Sequence, residues 1–334
     1  MFLGVDGGGT KTAFCLVDRD GKMVGQARTA GSYYFSEASE GIGLVERALR
    51  QGVDSVCADA GIEPSDIAYA FFGLPGYGEA PGDLPVLDAA PRAVLGHDRY
   101  ACDNDMVCGW AGSLGAVDGI NVLSGTGSMT YGERSGRGAR TGGWGELFSD
   151  EGSAYWIAVR GLNAFTRMSD GRMSEGPLAG VFRRHLSLAS DFDVIDIVFN
   201  RWRGGRGDIA ALSRQVVEAA GLGDECAAAI LSEAGRELAL LVDAARRRLG
   251  FEPGEPVPVS YSGGTFTAAA VLEAFTRELK SLHPGYELRA PLYEPVVGAA
   301  LYAAKLAGTP LDRAALDRLR SAPAPVTAGE GETG

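Results

Sequence analysis

No stretch of the chain approaches the roughly 20 consecutive apolar residues that span a bilayer, which argues against a membrane partner. No apolar leader precedes the first predicted strand, so no signal peptide is expected. Histidine is scarce. His97, His185 and His283 are the 3 in 334 residues, too far apart for a triad or a metal site, and receive no role. The 5 cysteines, Cys15, Cys57, Cys102, Cys108 and Cys226, are odd in number and form no CxxC pair. That pattern predicts a reduced, cytoplasmic protein with free thiols. Positive charge is also short: 31 Lys and Arg against 43 Asp and Glu leave a formal net charge of −12. Nucleic acid calls for a basic face, so the charge disfavours it and no nucleic-acid partner is expected. A small anion held by backbone N–H groups is not excluded.

What is present is an ordinary soluble composition, 46% hydrophobic and 22% charged, at a length that suits one large domain or two moderate ones. The opening "FLGVDGGGTKTAFCLVD" reads as strand, glycine turn, strand, and "MVGQART" adds a third strand in a meander. Apolar Ile42, Val45, Leu49 and Val53 predict a helix over residues 37–60. "IAYAFFGLPGYGE" is a buried strand closed by a Gly-Pro turn. "YACDNDMVCGWAGSLG" is a short strand running into a helix that begins near Asp105. "GINVLSGTGSMTYGE" then repeats strand, glycine turn, strand at residues 120–132. A helix follows from Ser153, and others are predicted over 209–220, 224–249, 267–282 and 295–306. The last starts with Pro295 and stops before Gly308, as capping preferences require. "PVPVSYSGGTF" is a strand ending in another glycine turn. These readings predict an α/β fold of two similar domains facing each other, residues 1–115 and 116–310, with the junction near 112–118 and a disordered Pro/Ala/Gly/Glu-rich tail over 322–334.

The first glycine loop is not a P-loop, because Thr10 stands where the glycine before the lysine belongs. It is not a dinucleotide loop either: Thr12 replaces the third glycine, and a strand follows instead of a helix. A hairpin nest of N–H groups and hydroxyls remains, able to hold phosphate oxygens and equally able to be a plain tight turn. Asp6 would repel phosphate; it makes sense as the ligand of a Mg²⁺ that bridges phosphates. The second hairpin turn, Ser124-Gly125-Thr126-Gly127-Ser128, sits at the equivalent point of the second block. Two such turns facing across a cleft could grip one polyphosphate.

"GVDGGGTKT", "DNDMVCGWAG", "VLSGTGS", "GGWGELFSDEGSAYWI" and "YSGGTF" occur in the order found in N-acetylglucosamine kinases. The chain thus resembles the BadF/BadG/BcrA/BcrD group of the sugar kinase–actin–chaperone ATPase superfamily over residues 1–308. "GGWGELFSDEGSAYW" is the most specific part; the glycine loops identify the superfamily only. The resemblance implies two ribonuclease-H-like (actin-like ATPase) domains with ATP in the cleft between them, Mg²⁺ as cofactor and a homodimer. It implies transfer of the γ-phosphate to a hydroxyl, at position 6, of an amino sugar such as N-acetylglucosamine or glucosamine.

By this resemblance Gly8, Gly9, Thr10, Lys11 and Thr12 meet the phosphates from the first domain, and Gly125, Thr126 and Gly127 from the second. Gly263 and Gly264 pass close to the adenosine. Asp105 matches the catalytic base that accepts the hydroxyl proton, with Asn104 beside it at the sugar. The alternatives are an N-cap role for Asp105 or confusion with Asp103. Asp150 would hydrogen-bond sugar hydroxyls, although Asp150 and Glu151 also suit the start of a helix. Gly142 and Gly143 would let the backbone approach the sugar, and Thr126 would touch both ligands. Trp144 and Trp156 read as packing.

One departure concerns the acceptor. Family members that use N-acetylglucosamine carry an Asn in the loop after the third strand. Here that loop, "AGSYYFSEASEG", has none, and presents Tyr33 and Tyr34, which either stack on a sugar or pack. Glucosamine and N-acetylmuramic acid are then further candidates, and "GLPGYGE" is a second place for specificity. Two other classes compete. An ATPase that activates a dehydratase or reductase needs cysteines for an iron–sulfur cluster, and Cys102 and Cys108 are six apart. A catalytically silent sugar sensor would not require Asp6, Asp105 and Asp150 together.

Overall fold

The structure, a computed structural model, describes residues 1–36 and 41–321. The expected tail at 322–334 lies outside them. Among the described residues ten strands form two five-stranded sheets. The chain divides into two units: Met1–Ala116 with the segment from Leu292 onward, and Val117–Pro291.

In unit 1, β1 (Phe2–Asp6), β2 (Lys11–Val17), β3 (Met23–Ala30), β4 (Tyr69–Leu74) and β5 (Tyr100–Asn104) lie in the order β3-β2-β1-β4-β5. The meander β1–β2–β3 is antiparallel, whereas β1–β4 and β4–β5 are parallel. β1 is central, so Phe2, Leu3 and Val5 are all buried and its pattern does not alternate. Parallel pairing puts Asp6 beside Gly73, and Leu74 beside Asn104. Three strand ends are thereby gathered at one edge of the sheet, the usual ligand side of a parallel array. The helix Gly43–Ala60 buries Val45, Leu49, Val53 and Val56 on one stripe and stops at left-handed Gly61. Its predicted start falls partly on residues 37–40, outside the described ones. The helix Leu84–Leu95 was not legible in advance.

The helix Pro295–Leu306 corrects the predicted boundary of the second domain. It packs on unit 1. A side chain at Gly4 would meet the backbone of Val296 and Ala300, and one at Gly298 would meet the backbone of Gly112. The helix therefore lies directly against β1 and against the helix Met106–Leu114. Tyr302 sits edge-on to Phe71 and Trp110, with ring centroids 4.9 and 5.4 Å away. Lys305 Nζ donates to the Ala116 carbonyl at 3.0 Å.

Unit 2 contains β6 (Gly119–Ser124), β7 (Ser128–Arg134), β8 (Arg137–Gly142), β9 (Val257–Ser262) and β10 (Tyr286–Arg289), ordered β10-β9-β6-β7-β8. Read from the other edge, this is the order of unit 1, again with an antiparallel meander and two parallel additions. The repeat predicted from the two glycine turns is thus a repeat of topology. β8 and β10 escaped the sequence reading: one is polar and glycine-containing, the other four residues long. The helix Glu225–Leu249 buries Ile230, Leu231, Leu238 and Val242. Asp224 caps it through Ala227 N at 2.9 Å and also accepts Leu178 N, at the start of the helix Pro177–Leu186, at 2.7 Å. The single helix predicted over 209–220 is two, Arg206–Ala211 and Ser213–Gly221. The break falls at Leu212, whose N–H bonds Ile209 three residues back.

Candidate active site

At the strand ends of unit 1 the β1–β2 turn is pinned from below. Gly7 N donates to Gly73 O at 2.8 Å, and Ser32 N to Gly8 O at 3.0 Å. A side chain at Gly7 would strike Pro75 and Ser32, and one at Gly31 the Gly9 carbonyl. Fixing its base this way leaves Gly9, Thr10 and Lys11 exposed at the crest. Thr12 corrects the expectation. It is buried, and its hydroxyl donates to Ser32 Oγ at 3.0 Å, so it braces the loop from within.

Asp105 occupies the N-cap position of the helix Met106–Leu114 but makes no side-chain cap bond. Asn104 does that work: its Oδ1 accepts Met106 N at 3.2 Å, while its Nδ2 donates to Tyr77 O at 3.2 Å. Asn104 is buried and engaged within the unit, so the structure gives it a bracing role where a sugar contact was expected. Asp103 accepts Asn104 N at 2.7 Å. Asp105 is instead the carboxylate next to Asp6. Burial, and then the charge of Asp105, push the Asp6 carboxyl from its ordinary 3.8 up to about 7. Lys11 opposes that shift, and Glu294 adds to it. A side chain on Gly73 would strike Cys108 Sγ and crowd the Asp105 backbone, so glycine lets β4 end beside both acids.

The aromatic loop is divided. Tyr34 lies in the core of unit 1, stacked on Phe35 at 4.3 Å, and burial raises its phenol to about 12. It packs, and so is corrected as a sugar contact. Tyr33 is half-buried, edge-on to Phe35 at 5.7 Å.

In unit 2 the loop 124–128 is welded to the segment 150–155. Ser124 Oγ donates to Gly152 O at 2.9 Å and Ser128 Oγ to Glu151 O at 2.7 Å. Ala154 N donates to Gly125 O at 2.9 Å and Tyr155 N to Thr126 O at 3.3 Å. These bonds explain why the specific motif "GGWGELFSDEGSAYW" follows the second glycine turn: one supports the other. Thr126 is left exposed. It lines a cavity of about 670 Å³ with Gly125, Gly264, Thr265, Ala210 and Arg214. The lining contains no carboxylate and a single cation, which suits a ligand carrying an apolar ring and negative charge. Gly264 opens on this space. Gly263, at φ +99°, is glycine for an internal reason, since a side chain would strike the Ser124 carbonyl. Gly142 and Gly143 have positive φ, and their neighbours are Leu241, Met129 and Arg140.

Asp150 is buried, 2% exposed, with its backbone left-handed at φ +58°. Its Oδ2 accepts from Arg206 Nη2 at 2.7 Å. Burial raises its carboxyl, and Arg206 pulls it back. The helix that follows is capped by Ser153, which accepts Trp156 N at 3.1 Å. Asp150 is therefore not the cap. Arg206 was missed, because 56 positions separate the pair and no local pattern links them. Trp144 contradicts its predicted packing role: it is 73% exposed, and Leu147 and Phe148 on the same loop are exposed too. Trp156 does pack, under Arg160 at 4.8 Å.

The two cysteines considered for a cluster do not present sulfur for one. Cys108 is buried in its helix and donates to Val5 O at 3.5 Å; Cys102 faces Leu87 O at 3.9 Å. Burial raises both thiols above their ordinary range. Among the described residues no three His, Cys, Asp or Glu gather as a metal cage, and no helix is long and apolar enough to cross a membrane.

With two sheets of one topology, glycine turns at their strand ends and an acid pair in unit 1, the chain has the architecture of a two-domain actin-like ATPase. Residues 3–303 match the BadF/BadG/BcrA/BcrD ATPase family, and the chain belongs to it. It is 27% identical over 313 residues to an N-acetyl-D-glucosamine kinase of Dictyostelium discoideum, an alignment covering 91% of this chain and 97% of that one. It is 29% identical over 305 residues to an N-acetylmuramic acid/N-acetylglucosamine kinase of Clostridium acetobutylicum, covering 90% and 97%. The crystal structure of a Chromobacterium violaceum protein assigned as an N-acetylglucosamine kinase superposes with a TM-score of 0.66 at 27% identity, covering 90% and 97%.

Proposed function

We propose that the protein transfers the γ-phosphoryl group of ATP to a hydroxyl of an amino sugar, at position 6 of N-acetylglucosamine or glucosamine. The observation that carries this reading is Asp105, a carboxylate at a helix start that does not cap its helix and stands beside a second acid. The named relatives, phosphotransferases acting on sugar hydroxyls, support the same class. In the step proposed, the sugar oxygen bonds to the γ-phosphorus, the β–γ bridging bond breaks and ADP leaves. The hydroxyl proton passes to Asp105, a transfer worth roughly 10²–10⁴ in rate.

The cavity of unit 2 is assigned the adenosine end of the nucleotide, and the exposed crest Gly9–Thr10–Lys11 and the turn Gly125–Thr126 the phosphates. Asp6 fits magnesium. It is a hard oxygen donor crowded by a second carboxylate, and magnesium is commonly held by one or two carboxylates together with phosphate and water. When bound, the ion supplies charge neutralisation on the phosphates. Asp150 is assigned the acceptor sugar. Tyr33, half-buried beside Phe35, is assigned the discrimination among acceptors.

The test is ADP release from Mg-ATP against N-acetylglucosamine, glucosamine, N-acetylmuramic acid, N-acetylmannosamine, glucose and no sugar. Turnover with one amino sugar is expected. Equal rates with and without every sugar would sink the reading.

A further inference from the structure

Arg206 has no part in the roles assigned above, yet it stands where three of them meet. It opens the helix Arg206–Ala211, of which Gly207, Ala210 and Ala211 line the unit 2 cavity. Its guanidinium reaches out of that wall to two acids, Asp150 at 2.7 Å and Glu146 at 3.3 Å. It also lies over the glycine turn. A side chain at Gly127 would strike Arg206 Nη2, and would come within 2.6 Å of Asp150 Oδ2. Gly127 is thus the gap through which the pair forms. Asp150 is 2% exposed, whereas the Arg206 side chain is 45% exposed. The acid is buried and the base is reachable. This is not the balance of an ordinary surface ion pair, in which both partners are solvated and little is gained.

We infer that Arg206 is a positioning residue for Asp150, holding that carboxylate aimed across Gly127 so that it accepts hydrogen bonds from the sugar. The inference rests on the proposed assignment of Asp150 to the acceptor. The charged groups facing Asp150 are Arg206 from the cavity wall and Glu146 and Glu151 from its own segment. Burial and the two glutamates raise its carboxyl, and Arg206 is the cation that opposes them. Without Arg206 the acid keeps its proton to higher pH. It then loses the fixed orientation that a charge-assisted bond provides.

The test uses the full-length protein, with Arg206→Gln and Arg206→Lys assayed beside the wild type for sugar KM, ATP KM, kcat and the pH dependence of kcat/KM for the sugar. Thermal melting and ADP binding without sugar report on the fold and the cavity. The expected result for Arg206→Gln is a sugar KM raised roughly 10- to 100-fold, the cost of one hydrogen bond to a charged group. ATP KM should change much less, and the acid limb of the sugar profile should move to higher pH. Arg206→Lys should restore the acid limb and part of the KM. A wild-type sugar KM and acid limb in Arg206→Gln would overturn the inference. So would parallel losses of ADP and sugar binding with a lowered melting temperature in both variants, the mark of a strut. Absence of sugar-dependent turnover in the wild type would instead sink the kinase reading, and this inference with it.

Discussion

At the strand ends of unit 1 a carboxylate sits beside a carboxylate; at the equivalent ends of unit 2 a carboxylate sits under a guanidinium. Both units reach these ends by one topology, β3-β2-β1-β4-β5 and β8-β7-β6-β9-β10. Asp6 is pushed up to about 7 by burial and by Asp105; Asp150 is raised by burial too, but there a cation, Arg206, opposes the shift. The same scaffold therefore holds one acid pair in tension and one ion pair at rest. A tense pair suits a site that works by taking up a proton or a metal ion. A paired acid suits a site that must keep one hydrogen-bonding state.

The sharpest way to break this comparison is to disarm unit 1. Asp105→Asn should lower kcat by roughly 10²–10⁴ and leave sugar and nucleotide binding measurable by calorimetry. An active variant would return Asp105 to a structural role.

The next effect is on stability. The native Asp6 carboxyl holds its proton up to about 7, against an ordinary 3.8, so between those values the folded state binds more protons than the unfolded one. Stability should therefore fall as pH rises from about 4 to about 7, then level off, by on the order of 2–4 kcal/mol. Denaturant titrations across that range should show the slope. Asp6→Asn should flatten it, and magnesium should lessen the loss at the alkaline end. A stability that rises through the same interval would contradict the arrangement.

Two glycines separate bracing from function. Gly263→Ala forces a side chain into the Ser124 carbonyl at positive φ and should destabilise unit 2 by roughly 1–3 kcal/mol. Gly9→Ala meets nothing within 4 Å. It should move stability by less than about 0.5 kcal/mol yet weaken nucleotide binding. Melting curves and ADP titrations of the two variants distinguish these outcomes, and an Ala at residue 9 that binds ADP normally would remove the crest from the phosphate site.

Much of the comparison was legible in residues 2–18 and 120–132, because a glycine turn between two apolar strands is a local signal. The helices 225–249 and 295–306 were equally plain from their stripe, caps and prolines. Other features were not legible because they are not local. Thr12 looked like a phosphate ligand until Ser32, 20 positions on, claimed its hydroxyl. Asn104 looked like a sugar contact until Met106 and the Tyr77 carbonyl engaged its amide. Arg206 carried no signal at all, and Trp144 carried a misleading one, since a large apolar ring in a motif reads as core.

The helix Pro295–Leu306 has a consequence for how the chain is made. It supplies the layer against Gly4, Cys15 and Trp110, yet it is synthesised after all of unit 2. On the ribosome residues 1–116 of unit 1 must wait, with one face of β1 bare, while residues 117–291 emerge and acquire their own core. The unit that begins first finishes last, and a chain stopped before residue 295 would leave unit 1 with a missing wall, not merely a shorter end.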